Sequence, residues 1–131
     1  MTASSVRDQA APVGPSVLVV EDEGMVRELI VETLRDAGCA VTEVANADEA
    51  VRALKAEAAP DVLITDVKLP GTMNGVELAA CVRRSLPRMK VIVTSGHASA
   101  ENACHVADAF FAKPFELKQL VGQVRILAAE A

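Results

Sequence analysis

Four apolar runs in this chain each end on a chemically reactive group. Val17-Leu-Val-Val20 precedes Glu21 and Asp22, and Val62-Leu-Ile-Thr65 precedes Asp66. Val91-Ile-Val-Thr94 precedes Ser95, and Ala109-Phe-Phe-Ala112 precedes Lys113. Three of the four runs are rich in β-branched residues, and none alternates apolar with polar. That pattern suits strands buried on both faces, as in a parallel sheet. If the strands run parallel, all four groups emerge at one edge of one sheet. An acidic cluster, a hydroxyl and an ammonium would then share a crevice suited to a divalent cation and a phosphoryl group.

Helical patterns fill the gaps between the runs. Ser16–Val20 is the first strand. Met25–Ala37 follows with Val26, Leu29, Ile30, Leu34 and Ala37 on one stripe, and Gly38 can terminate it. Ala40–Val44 is the second strand. Ala47–Ala58 is an alanine-rich helix with Ala50, Val51, Leu54 and Ala58 inward and Asn46 as cap. Asp61–Thr65 is the third strand, followed by a helix over Asn74–Ser85. Lys90–Thr94 is the fourth strand, followed by a short helix over Ala98–Ala107. Ala109–Ala112 is the fifth strand. Glu116–Ala128 is the last helix, with Leu117, Leu120, Val121, Val124 and Leu127 inward.

Alternating strands and helices predict an α/β fold, a (βα)5 doubly wound five-stranded parallel sheet of flavodoxin-like type. The fold rule supplies the strand order 2-1-3-4-5, with ligands at the switch point beyond the carboxyl ends of strands one and three. Asp22 and Asp66 would lie side by side there, flanked by Ser95 and Lys113. The 131 residues suit one domain. Residues 1–15 are small and polar and read as a flexible N-terminal tail, and 16–131 as the folded domain.

Charge and composition narrow the function classes. A net charge of −5 argues against a nucleic-acid or anionic-membrane footprint. The three cysteines Cys39, Cys81 and Cys104 show no CxxC spacing, so disulfide and zinc frameworks are not expected and a cytoplasmic setting is. Cys81 and Cys104 read as buried packing residues. No apolar run reaches the length of a membrane span, and the N-terminus carries no apolar signal core.

Packed carboxylates repel one another, at roughly 4 kcal/mol per pair for about 4 Å and an effective dielectric near 20. Such a cluster must take up protons or bind a cation. Magnesium suits it, being a hard ion that takes oxygen ligands and retains exchangeable water. Asp66 would be a carboxylate nucleophile toward phosphorus, giving an acyl phosphate. Lys113 would bring a positive charge, and Ser95 a hydroxyl donor, to the phosphoryl oxygens. Gly96 leaves room beside Ser95 for close approach.

These residues resemble a response-regulator receiver domain of the CheY-like, stand-alone type. The matching pieces are Val19-Val-Glu-Asp22, Ile64-Thr-Asp66 with Pro70 and Gly75 following, Thr94-Ser-Gly96, and Lys113-Pro-Phe115. The resemblance spans about Ser16 to Ala128. It implies that Asp66 is the phosphoacceptor. It implies that Glu21, Asp22, Asp66 and the backbone carbonyl of Lys68 hold Mg2+, and that Ser95 is the switch hydroxyl. It further implies that Lys113 contacts the phosphate, that the Lys113–Pro114 peptide is cis, and that Phe110 is the aromatic switch. Phosphorylation would then alter the surface of the fourth helix, fifth strand and fifth helix. The partners implied are a sensor histidine kinase or histidine phosphotransfer protein and a downstream protein target. No nucleic acid or membrane is expected, and the chain would be a monomer or weak homodimer.

The bland alternatives are plain. Glu21 and Asp22 can cap the following helix, Phe110 can be simple core, and Thr94 is a rival hydroxyl that strand register turns away from the crevice. Lys68 and His97, each two residues beyond a site group, are candidates for tuning the phosphoryl lifetime. His105 reads as an exposed helix residue. An enzyme is not expected. Haloacid-dehalogenase-type phosphatases usually carry a second acid two residues after the nucleophile, where Lys68 stands, and no GxxxxGK run is present. A receiver fragment of a hybrid kinase, or a pseudo-receiver that only binds partners, are the remaining readings.

Overall fold

The computed structural model describes residues 14–56, 58–96 and 105–130. Five strands, β1 (Ser16–Val20), β2 (Ala40–Val44), β3 (Val62–Asp66), β4 (Lys90–Ser95) and β5 (Ala109–Ala112), form one sheet. All pairings are parallel, in the order β2-β1-β3-β4-β5. Among the described residues four helices accompany them: α1 (Gly24–Asp36), α2 (Ala47–Ala56), α3 (Gly75–Ser85) and α4 (Leu117–Ala129).

The pleat divides each strand between two cores. Val17, Val19, Val62, Ile64 and Ile92 face α1 and α4, where Ile30, Leu34, Leu120, Val124 and Leu127 close over them. Leu18, Val20, Leu63, Val91 and Val93 face α2 and α3, against Ala50, Leu78, Ala79 and Val82. Successive side chains of a strand point to opposite faces, so strands apolar throughout must be covered on both. Phe110 and Phe111 obey the same rule. Phe111 joins the α1/α4 core and meets Phe115 edge-on at 5.6 Å, while Phe110 packs toward the α2/α3 core.

Local signals set the ends of the elements. After α1 the chain turns at Gly38, whose φ is +93°, and Cys39 N–H donates to the Leu34 carbonyl. Asn46 Oδ1 accepts from Glu49 N–H at 2.9 Å. Asn74 and Glu77 form a reciprocal capping box at the start of α3. Carboxylates close the amino-terminal edge of the sheet. Asp61 accepts Ser16 N–H at 3.0 Å, and Asp108 accepts Val91 N–H at 2.8 Å while pairing with Arg83 at 3.1 Å.

Some expectations need correction. Leu29 does not turn inward; it is 55% exposed, and Val31 is buried in its place. Both positions flank the same helical stripe, and the lie of α1 on the sheet selects between them. Cys81 is half-buried, not sealed in the core, and Ala58 is exposed beyond the end of α2. Of the helix expected over Ala98–Ala107, His105 and Val106 form a turn, and 98–104 lie outside the described residues. His97, Cys104 and residues 1–13 of the expected tail lie outside them as well.

Candidate functional site

The strand order carries Glu21, Asp22, Asp66, Ser95 and Lys113 to one end of the sheet. β1 and β3 are neighbours, with Val20 opposite Thr65, so the residues just beyond them converge. Carboxylate oxygens of Glu21, Asp22 and Asp66 all lie within 4.8 Å of one another. Glu21 and Asp66 are buried and Asp22 is exposed. A cleft of about 350 Å³ opens above them, lined by Asp22, Glu23, Asp66, Lys68, Leu69, Pro70, Gly96 and Lys113.

Lys113 ties the cluster together. Its Nζ donates to Glu21 Oε1 at 2.8 Å and to Asp66 Oδ2 at 3.0 Å. Its backbone N–H donates to the Ser95 carbonyl at 2.8 Å, which fixes β5 against the end of β4. The Lys113–Pro114 peptide is cis, as expected. Ser95 is buried at the last position of β4, opposite Ala112. Thr94 is buried one residue earlier, opposite Phe111. Lys68 is exposed on the cleft rim, and Phe110 is half-buried in β5.

Electrostatics follow from burial. Desolvation pushes the Glu21 carboxyl above its ordinary range, and the Asp66 charge adds to this, against the hydrogen bonds from Lys113 and Glu23 N–H. Burial pulls Lys113 down, but the hydrogen bonds and charges of Glu21 and Asp66 outweigh it and leave its ammonium above the usual lysine value. Three carboxylates against one ammonium leave two formal negative charges in the cluster. An oxygen-only donor set with that deficit fits a hard dication.

The loop after β3 is shaped around Asp66. Gly75 N–H donates to the Val67 carbonyl at 2.8 Å, and Val67 N–H to the Thr94 carbonyl at 2.9 Å. A Cβ on Gly75 would fall on the Asp66 carbonyl, 2.7 Å from its carbon and 3.0 Å from Thr65 Oγ1. Only glycine permits that approach.

The family model described as "Response regulator receiver domain" matches residues 17–125. The chain belongs to the response regulator receiver domain family. Among the relatives of this receiver domain is the DNA-binding transcriptional regulator NtrC of Salmonella typhimurium, 31% identical over 82% of this chain and 24% of that protein. Another is the phosphate regulon transcriptional regulatory protein PhoB of Pseudomonas aeruginosa, 31% identical over 86% of this chain and 51% of that protein. The receiver domain therefore spans between about a quarter and a half of these relatives. In structure it resembles a CheY-like receiver domain protein from Methanospirillum hungatei, with TM-score 0.82 and 28% identity over 89% of this chain and 95% of that one. Receiver domains bind Mg2+ at an acidic pocket and interact with histidine kinases and downstream effectors. Among the described residues no helix is long and apolar enough to cross a membrane.

Two contributors to the site escape sequence reasoning. Glu23 lines the cleft, and its N–H donates to Glu21 Oε2 at 3.1 Å; the unbroken run Glu21-Asp22-Glu23 is its only sequence signal. Arg27 donates from Nη1 to the Glu21 carbonyl at 2.8 Å and from Nε to Glu43 Oε1 at 3.2 Å. A charged residue in the first turn of a helix carries no pattern that announces such a reach.

Proposed function

We propose that this receiver domain is a phosphorylation-dependent signalling switch that takes a phosphoryl group from a phosphohistidine onto Asp66. The observation that carries the reading is the Lys113 ammonium shared between Glu21 and Asp66 at the floor of an open, acid-rimmed cleft.

Glu21, Asp22, Asp66 and the Lys68 carbonyl would hold Mg2+, which when bound neutralises charge on the incoming phosphoryl group. An Asp66 carboxylate oxygen attacks phosphorus as the bond to the donor imidazole nitrogen breaks, and the electron pair returns to the ring. Lys113, already beside Asp66, supplies positive charge where the phosphoryl oxygens arrive. Ser95 then donates its hydroxyl to one of those oxygens. Phe110, half-buried in the next strand, turns further inward and changes the surface formed by the segment after β4, by β5 and by α4. The donor is a sensor histidine kinase or a histidine phosphotransfer protein. Output runs through protein contacts, in keeping with the net charge of −5.

Mass spectrometry after incubation with a phosphohistidine-bearing phosphotransfer protein, and separately with acetyl phosphate, tests the reading. A magnesium-dependent gain of one phosphoryl group that disappears in Asp66→Asn supports it. No gain from either donor, or equal gain in the variant, refutes it.

A further inference from the structure

We infer that Arg27, held by Glu43, is a positioning residue for the acidic turn: it fixes the backbone at Glu21 so that the carboxylates converge on one cation. The proposal rests on the magnesium reading above. Glu21 is anchored at four points. Its N–H donates to the Val44 carbonyl at 3.2 Å. Its side chain accepts from Glu23 N–H at 3.1 Å and from Lys113 Nζ at 2.8 Å. Its carbonyl accepts from Arg27 Nη1 at 2.8 Å, the shortest of the backbone anchors. β1 ends at Val20 and α1 begins at Gly24, so 21–23 form a turn outside both ladders.

The guanidinium is well placed for this task. Its planar fork lets Nε and Nη1 serve different acceptors at once, which an ammonium on a flexible stem does not reproduce. Glu43 receives a second arginine, Arg35, at 3.8 Å. Arg35 sits on the same helix and donates a hydrogen bond from Nη2 to the Val41 carbonyl at 3.0 Å, away from the acidic turn. Two arginines of α1 therefore grip one carboxylate of β2, and Arg27 alone extends the grip to Glu21. Groups one step behind the ligands commonly carry 10- to 100-fold in metal affinity. A positive charge near the cluster has the opposite Coulombic effect, since it repels a cation, so the two roles predict opposite signs.

The test compares Arg27→Gln, Arg27→Lys and Arg35→Gln with the wild type. Magnesium affinity is measured by titration calorimetry, and amide hydrogen exchange by NMR on the metal-free protein. Arg27→Gln is expected to weaken Mg2+ binding about tenfold, with Arg27→Lys recovering only part. It should also speed exchange at Glu21 and Glu23 relative to Ile64. Arg35→Gln, which removes only the 3.8 Å ion pair to Glu43 and leaves both Arg27 hydrogen bonds in place, should leave both readouts at wild-type values. Tighter Mg2+ binding in Arg27→Gln, or equal effects of Arg27→Gln and Arg35→Gln, overturns the proposal. If the wild type binds no Mg2+, the magnesium reading fails on its own, and the exchange data still decide whether Arg27 holds the turn. Unchanged exchange at Glu21 and Glu23 in Arg27→Gln overturns that.

Discussion

Replacing Gly75 by alanine puts one methyl group where the fold has no room. The added Cβ would fall on the Asp66 carbonyl, 2.7 Å from its carbon, whereas ordinary contacts lie at 3.4–4 Å. Either the Asp66 peptide or the start of α3 must move. Neither is free to do so: Gly75 N–H bonds the Val67 carbonyl at 2.8 Å, and the capping box of Asn74 and Glu77 holds the helix end. Overpacking costs about 1–3 kcal/mol and loss of one net hydrogen bond about 0.5–1.5, so the substitution should cost about 2–4 kcal/mol. Against a typical domain stability of about 5–15 kcal/mol this is severe, and corresponds to roughly 8–15 °C in Tm for a chain of this size. The chain has no Trp and no Tyr, so unfolding is best followed by far-UV circular dichroism in urea and on heating. Gly122→Ala is the companion variant. Nothing lies within 4 Å of its added Cβ, and it sits inside α4. Helix propensity should make it more stable by about 0.5–1 kcal/mol. A Gly75→Ala protein that melts with the wild type would refute the steric reasoning, because no relaxation consistent with the surrounding hydrogen bonds absorbs the overlap at so little cost.

Three further outcomes follow from the described geometry. Asp61→Ala removes the carboxylate that accepts Ser16 N–H and hydroxyl, and should cost about 1–3 kcal/mol in urea unfolding while phosphorylation of the folded fraction persists; an unchanged midpoint would count against it. In metal-free buffer the Glu21→Gln variant should gain on the wild type as pH rises from 4.5, Glu21's ordinary value. A folded carboxyl with a raised pKa binds its proton more tightly than the unfolded one, so the wild type loses stability upward through that window until Glu21 is ionised in both states. A difference that moves toward the wild type instead would contradict the assigned direction. Cys39 is 2% exposed and burial pushes its thiol up, so alkylation followed by peptide mapping should find Cys81 modified well before Cys39; equal rates would contradict the packing of Cys39.

Much of this was legible because parallel-sheet strands announce themselves. β1, β2 and β5 carry the expected boundaries: β1 and β5 are apolar runs with little choice of register, while β2, with Thr42 and Glu43 exposed, is delimited by the turn at Gly38 before it. β3 begins one residue later than expected, at Val62: Asp61 looks like part of the run, but its carboxylate turns back to Ser16. The convergence of Glu21, Asp22, Asp66 and Lys113 followed from the topology rule once the order was known. Whether Leu29 or Val31 faces inward was not legible, because a stripe of three or four apolar positions tolerates a small rotation of α1. Nor was the reach of Arg27. A long side chain bonds wherever its fork finds carbonyl and carboxylate together, and that depends on strands far apart in sequence.

Acids occupy both ends of this sheet but live under different conditions. Asp61 and Asp108 are occupied by backbone N–H groups and, for Asp108, by Arg83. Glu21, Asp22 and Asp66 crowd together with a single ammonium among them. One edge is thus a finished joint, and the other holds a surplus of charge that only something from outside can discharge. The two sets of acids share no partner: the joint answers to Ser16, Val91 and Arg83, and the charged end to Lys113. That separation divides the acids of this sheet into those that build the fold and those left with charge to offer.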